Sequence, residues 1–222
     1  MVSTIKNNAD SRPGNGGGGE PASYHAILKA AITQFAQKGF EGTRIETVAR
    51  EAKFNKALVY RHFTDKDGLF KAALRYKLDE RIRMLPASPL DLSSVMFNYF
   101  TETLKDREYI RLIMGEAMMG EAGVIEDSWR HHYYQKHVEL VKEAQVNGQL
   151  PDSIAPDFLM LMFTSMILFP AVLPQVSRML TGNSPESEEF QEQWKIAIQG
   201  LERALRQSIG NNQKLNVTGD PG

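Results

Sequence analysis

The 222-residue chain contains no cysteine, which excludes thiol catalysis, cysteine-ligated zinc and a disulfide framework. It carries no charge bias as a whole: 26 basic against 27 acidic side chains leave a net charge of −1. An export leader is missing too, because Met1–Asp10 is polar, without an apolar stretch or a small-residue cleavage site. This predicts a cytoplasmic protein. Long apolar runs are nearly absent. Phe158–Pro174 is uncharged but only 17 residues long, at the lower limit for spanning a bilayer, and Pro170 interrupts it. No basic cluster beside it sets a topology, so it reads as a core or interface helix rather than a membrane span. The glycine run in GNGGGGEP at 14–21 lacks the Gly-Lys-Ser/Thr and the preceding strand of a phosphate loop. Alternating apolar–polar segments are likewise missing, and with them the signature of sheets.

What remains is a chain long enough to remove about 70% of its unfolded surface from water, patterned almost throughout with helical period. Its charge is unevenly divided. Residues 1–83 carry 15 basic and 9 acidic side chains, net +6, whereas residues 84–222 carry 11 and 18, net −7. A cationic module fused to an acidic one implies an anionic partner for the first. Four domain-scale segments follow: a flexible arm over 1–22, a basic unit over 23–85, a larger helical unit over 86–209, and a polar tail over 210–222. Pro86–Pro89 marks the boundary between the two folded units. The fold class is all-α, with about nine helices.

Leu28, Ala31, Ile32 and Phe35 follow i, i+3, i+4, i+7 spacing, and Gly39 stops that helix. Thr43-Arg-Ile-Glu46 reads as a capping box opening a second helix with Ile45, Val48, Ala49 and Ala52 on one face. Asn55 caps a third, whose Val59 and Phe63 point inward, with Phe54 assigned to the core. Thr64 and Asp67 start a fourth. Two short amphipathic helices joined near Ala52–Phe54 fit a helix-turn-helix, whose second helix must present its outer side to a major groove. Asn55, Lys56, Leu58 and Arg61 occupy that outer arc. Leu58 suits a thymine methyl, small Ala57 allows close approach of the backbone, and Tyr60 and Lys66 reach phosphate oxygens. His62 divides evenly between DNA contact and packing on the fourth helix.

The run from Ile45 through Ala49, then Asn55, Val59-Tyr60-Arg61-His62-Phe63, Lys66 and Leu69, with Gly39-Phe40 ahead of it, closely resembles the TetR family of transcriptional regulators over about residues 24–80. The resemblance implies a three-helix DNA-binding unit joined by a fourth helix to a helical, ligand-binding and dimerising domain. It also implies DNA contacts, mostly to the backbone, at Thr43, Arg44, Thr47, Lys56, Tyr60, His62 and Lys66. Two positions depart from the pattern: Lys53 and Ala57 stand where glycine is common.

Methionine and aromatic residues crowd 96–169. Met96, Phe100, Met114, Met118, Trp129, Tyr133, Phe163 and Met166 are the expected lining of a pocket for a small apolar or aromatic effector. His131, His132 and His137 lack the i, i+4 spacing that places two imidazoles on one face, so neither a metal nor another cofactor is expected. Glu116 falls on a solvated face by default. The stretches 156–181 and 187–209 are apolar enough to pair with their copies in a homodimer, the latter through Phe190, Trp194, Ala197, Ile198, Leu201 and Leu205. The sequence thus predicts a ligand-responsive regulator, most simply a repressor bound to a palindromic operator. An all-helical enzyme or lipid carrier is the rival reading, and no catalytic constellation supports it.

Overall fold

The computed structural model describes residues 21–82, 91–119 and 128–217. Among them lie ten helices and no strand. They are α1 (Ala22–Gly42), α2 (Ile45–Glu51), α3 (Lys56–Phe63), α4 (Lys66–Ile82), α5 (Leu92–Lys105), α6 (Arg107–Met118), α7 (Ser128–Val146), α8 (Pro156–Val172), α9 (Pro174–Thr181) and α10 (Glu188–Val217). The expected boundary at Pro86–Pro89 lies outside the described residues.

In the first unit the apolar stripe of α1 is buried from Ile27 to Phe35. Gly39 takes φ +71°, a conformation glycine reaches without steric cost, and the chain turns there before one further turn of helix. The capping box is not formed. Arg44, with no side-chain cap bond, precedes the first residue of α2. The Thr43 hydroxyl is instead turned inward and donates to the Gly39 carbonyl at 2.7 Å. Asn55 does cap α3, its side chain accepting from the Leu58 amide at 2.9 Å. The start of α4 belongs to Asp65, whose carboxylate accepts from the Gly68 amide at 2.7 Å, rather than to Thr64 or Asp67.

In the second unit Asp91 and Asp106 cap α5 and α6 by accepting from the amides of Ser94 and Tyr109. The stretch 156–181 divides into two helices bent by 92° at Leu173. Pro174 causes the break, since a residue before proline is pushed out of the α region and proline itself has no amide to donate. Pro170, by contrast, stays inside α8. This division accounts for ten helices where about nine were expected. Among the described residues no single helix is long and apolar enough to cross a membrane. The last helix runs past Gly210 to Val217, eight residues into the stretch read as a tail.

The core of the first unit does not end with it. The cluster formed by α1–α4 continues through Tyr109 and Leu112 of α6 and Tyr133 of α7. Two smaller clusters complete the second unit, one around Met96, Leu159 and Phe163, the other joining Phe100 to Phe190.

Candidate nucleic-acid interface and effector cavity

The second helix of the pair is held from behind. Val59 and Phe63 are buried, and Tyr24 of α1 stacks on Phe63 with ring centroids 4.7 Å apart. His62 is half-buried against the same helix, its Nε2 within 3.0 Å of the Ser23 hydroxyl, with its ring edge-on to Tyr24. Leu58 is drawn partly into the core rather than exposed. Asn55, Lys56, Ala57, Tyr60 and Arg61 remain on the open face. Arg44 is exposed beside them, and Thr47 is half-buried.

Charge on this face is arranged rather than scattered. Lys56 forms an ion pair with Glu46 of α2, which raises the lysine pKa and lowers that of the carboxylate, chiefly through their hydrogen bond. Its ammonium also lies 5.5 Å from the centre of the Tyr60 ring. Lys66 reaches back to the Glu41 carbonyl at 3.3 Å and over the Phe40 ring. Thr43 stands apart from the exposed set at 2% exposure. Phe54 departs in the other direction. Read as core, it is 37% exposed, because it lies in the turn between Lys53, at φ +62°, and the cap residue, clear of both helix faces.

The second unit encloses a cavity of about 120 Å³ between the end of α4 and helices α5 to α8. Met96, Tyr133 and Phe163 of the expected lining face it. The other five do not. Phe100 is buried in the aromatic cluster with Phe190 and Trp194, and Met166 packs beside the core around Phe163. Met114 and Met118 are exposed, the latter at 86%. Trp129 stacks on Tyr133 from outside and carries the Arg75 guanidinium 4.7 Å from its centre.

The sequence reading missed most of the polar lining: Arg81, Tyr109, Tyr134, His137 and Thr164, which join Tyr99 there. Tyr99 and Tyr109 are pushed up to about 12, each chiefly by burial, and so stay neutral hydroxyls. His137 is buried, with Nδ1 2.8 Å from the Tyr133 carbonyl. Burial lowers its pKa against that smaller hydrogen-bond effect. Arg81 was legible in principle, since it continues the buried stripe Phe70, Leu74, Leu78 at helical spacing. Glu116 is also corrected: it is buried and ion-paired with Arg130. Burial works against the charge on Arg130, and its hydrogen bond to Glu116 leads the interactions that outweigh this and raise its pKa.

An exposed cationic helix held by two others, on a helical body with an apolar cavity, defines a helix-turn-helix regulator that responds to a ligand. Comparison with known proteins agrees. Residues 27–73 match "Bacterial regulatory proteins, tetR family", and residues 91–200 match "Tetracyclin repressor-like, C-terminal domain". The HTH-type transcriptional repressor SCO4008 of Streptomyces coelicolor is 32% identical over 163 residues, covering 72% of this chain and 84% of its own. The chain belongs to the TetR family. Among solved structures, the transcriptional regulator SCO4942 of Streptomyces coelicolor superposes with a TM-score of 0.68 at 18% identity, over 81% of this chain and 98% of that one. AibR, solved with isovaleryl coenzyme A and operator DNA, gives a TM-score of 0.57 at 18% identity, over 81% and 97%. The protein is a DNA-binding transcriptional regulator and not an enzyme. Regulators of this family bind operator DNA as dimers under the control of small molecules.

Proposed function

We propose that this chain is a repressor that binds a palindromic operator as a homodimer and is released when an effector fills the α4–α8 cavity. The observation that carries the reading is the open face of α3. Arg61 there is exposed and has no ion-pair or hydrogen-bond partner among the described residues, and Lys56 and Arg44 are exposed as well. An arginine free on a helix face suits bidentate pairing with guanine, whereas Lys56, Tyr60 and Lys66 suit phosphate oxygens. Thr43, with its hydroxyl spent on Gly39, positions the start of α2 rather than reaching DNA. The effector is small, with an apolar or aromatic body. SCO4008 is named a repressor, and repression is the direction proposed here.

A dimer is supported by α8. Phe158, Leu161, Met162 and Phe169 are all exposed on one side of that helix, Leu161 at 61%. A stripe of this kind is the usual mark of a buried partner surface. In α10 part of the stripe expected to dimerise is used within the chain, with Phe190 and Ile198 buried and Trp194 and Leu205 packed against the same cores, while Ala197 stays exposed. Its remaining surface, including half-exposed Ile196, is what α10 offers a second copy. Two α3 helices carried one DNA turn apart, about 34–36 Å, would enter successive major grooves.

Fluorescence anisotropy of the protein on DNA from upstream of its own gene, at two salt concentrations and beside a scrambled duplex, tests the reading. Tight binding to the native duplex alone, weakening steeply with salt, is expected. Arg61→Ala is expected to cost about 1–3 kcal/mol and relax the sequence preference. Equal affinity of wild type for both duplexes, across the upstream region, would refute it.

A further inference from the structure

We infer that the effector is a small monocarboxylate, held with its carboxylate on Arg81 and its apolar body between α5, α7 and α8. The inference rests on the effector-controlled reading above and specifies its ligand.

Arg81 is 4% exposed, in the last turn of α4. Its guanidinium lies 4.2 Å from the centre of the Tyr109 ring and 5.9 Å from that of Tyr99, and it donates one hydrogen bond, to the Thr103 hydroxyl. That hydroxyl in turn donates to the Tyr99 carbonyl at 2.6 Å. A guanidinium has five N–H donors and always carries its charge. Among the described residues no carboxylate comes within the 4.0 Å of an ion pair with Arg81. Glu102, Asp106 and Glu108 stand across the polar cleft on its other side, and each is already engaged. Asp106 and Glu108 pair with Lys77 at 2.9 and 3.8 Å, and Glu102 pairs with Lys105 at 2.6 Å.

A buried cation without a counter-ion is costly to maintain, and this one lines a cavity whose walls are mainly apolar and aromatic, with a few neutral polar groups. Burial pushes the pKa of His137 down and those of Tyr99, Tyr109 and Tyr133 up, so none of these four adds a charge near neutral pH. The cavity therefore presents one full positive charge, planar and forked, among methionine, leucine and aromatic walls. Its complement is a ligand with one carboxylate and an apolar remainder. A volume of about 120 Å³ limits that remainder to roughly one aromatic ring or a short chain, since a dry cavity of about 150 Å³ holds benzene.

The position of Arg81 also supplies a route to DNA. The 17 residues of α4 form a rod about 25 Å long, with Arg81 near one end and Gly68, packed against the Phe63 carbonyl of α3, near the other. A ligand that grips Arg81 acts on the element that carries the recognition helix.

Calorimetric titration of the full chain with benzoate, phenylacetate and hexanoate, each beside its neutral amide, tests this. At least one acid is expected to bind tenfold or more tighter than its amide. Arg81→Met should abolish that preference while leaving amide affinity unchanged, and its melting temperature without ligand should equal or exceed that of wild type. Should Arg81→Met fail to fold, Arg81→Lys is expected to retain a reduced preference for the acid. Failure of all three acids to bind, equal binding of acid and amide, or a preference that survives in Arg81→Met would overturn the inference. Operator binding by wild type, measured alongside, separates the two ideas. DNA binding without acid preference removes only the carboxylate, and acid preference without DNA binding removes only the repressor.

Discussion

Lys53 occupies the turn of the helix-turn-helix with φ +62°, in the left-handed region that costs a non-glycine residue about 1–2 kcal/mol. Lys53→Gly is therefore expected to stabilise the protein by about 0.5–1 kcal/mol, the strain relieved less the added freedom of the unfolded chain. Urea unfolding measures it, and a midpoint at or below that of wild type would contradict the strain. His137 provides a second prediction at this scale. Burial pushes its pKa below the ordinary 6.5, so between those values the unfolded chain takes up a proton that the folded chain refuses. The stability gained by keeping it neutral is complete above about pH 6.5 and is lost as pH falls toward the folded pKa. The urea midpoint should accordingly drop between pH 7.5 and pH 5 by more in wild type than in His137→Gln. Parallel losses in the two proteins would show that other groups carry the acid sensitivity.

At the scale of elements, the joint between α3 and α4 is the least forgiving. A methyl group on Gly68 would fall inside the contact radius of the Phe63 carbonyl oxygen, and backbone cannot swing aside as a flexible side chain can. Gly68→Ala is expected to destabilise by about 1–3 kcal/mol, as overpacking does elsewhere. It should also weaken operator binding by more than the stability loss alone explains. Normal thermal stability in this variant would mean that the joint yields. Most of the elements were legible because helical stripes are written in the sequence. The stripe from Leu28 to Phe35, Val59 with Phe63, and the Asn55 cap needed no tertiary knowledge. Three features were not legible. Thr43 chose the Gly39 carbonyl over a cap, a choice between two local bonds that spacing cannot rank. Leu173 became a corner because Pro174 follows it, a signal present but outweighed by the apolar run. Arg81 escaped notice because a charged residue on an apolar stripe reads as the end of the stripe. The cavity shared that fate: Met96, Tyr133 and Phe163 face it, while Met114 and Met118, identical in composition, sit on surfaces that only the packing of α6 determines.

At the scale of the whole molecule, the exposed stripe of α8 yields the prediction that Leu161→Glu converts a dimer to a monomer. Sedimentation velocity reads the mass directly. Affinity for a two-half-site operator should fall by about 100-fold as the second contact ceases to be intramolecular, with affinity for an isolated half-site unchanged. A mutant that sediments as the wild type does would place the interface elsewhere.

The core shared by α1–α4 with Tyr109, Leu112 and Tyr133 bears on a different matter, the transplanting of domains. A chimera cut between the DNA-binding segment and the rest would expose the underside of α1, which packs more of itself on α6 than on any of its own neighbours. Residues 24–80 are thus a reading head without a chassis. Exchanging operator specificity in this protein calls for altering a few side chains on the outer face of α3, and any graft of the whole head must carry a matching α6 surface with it.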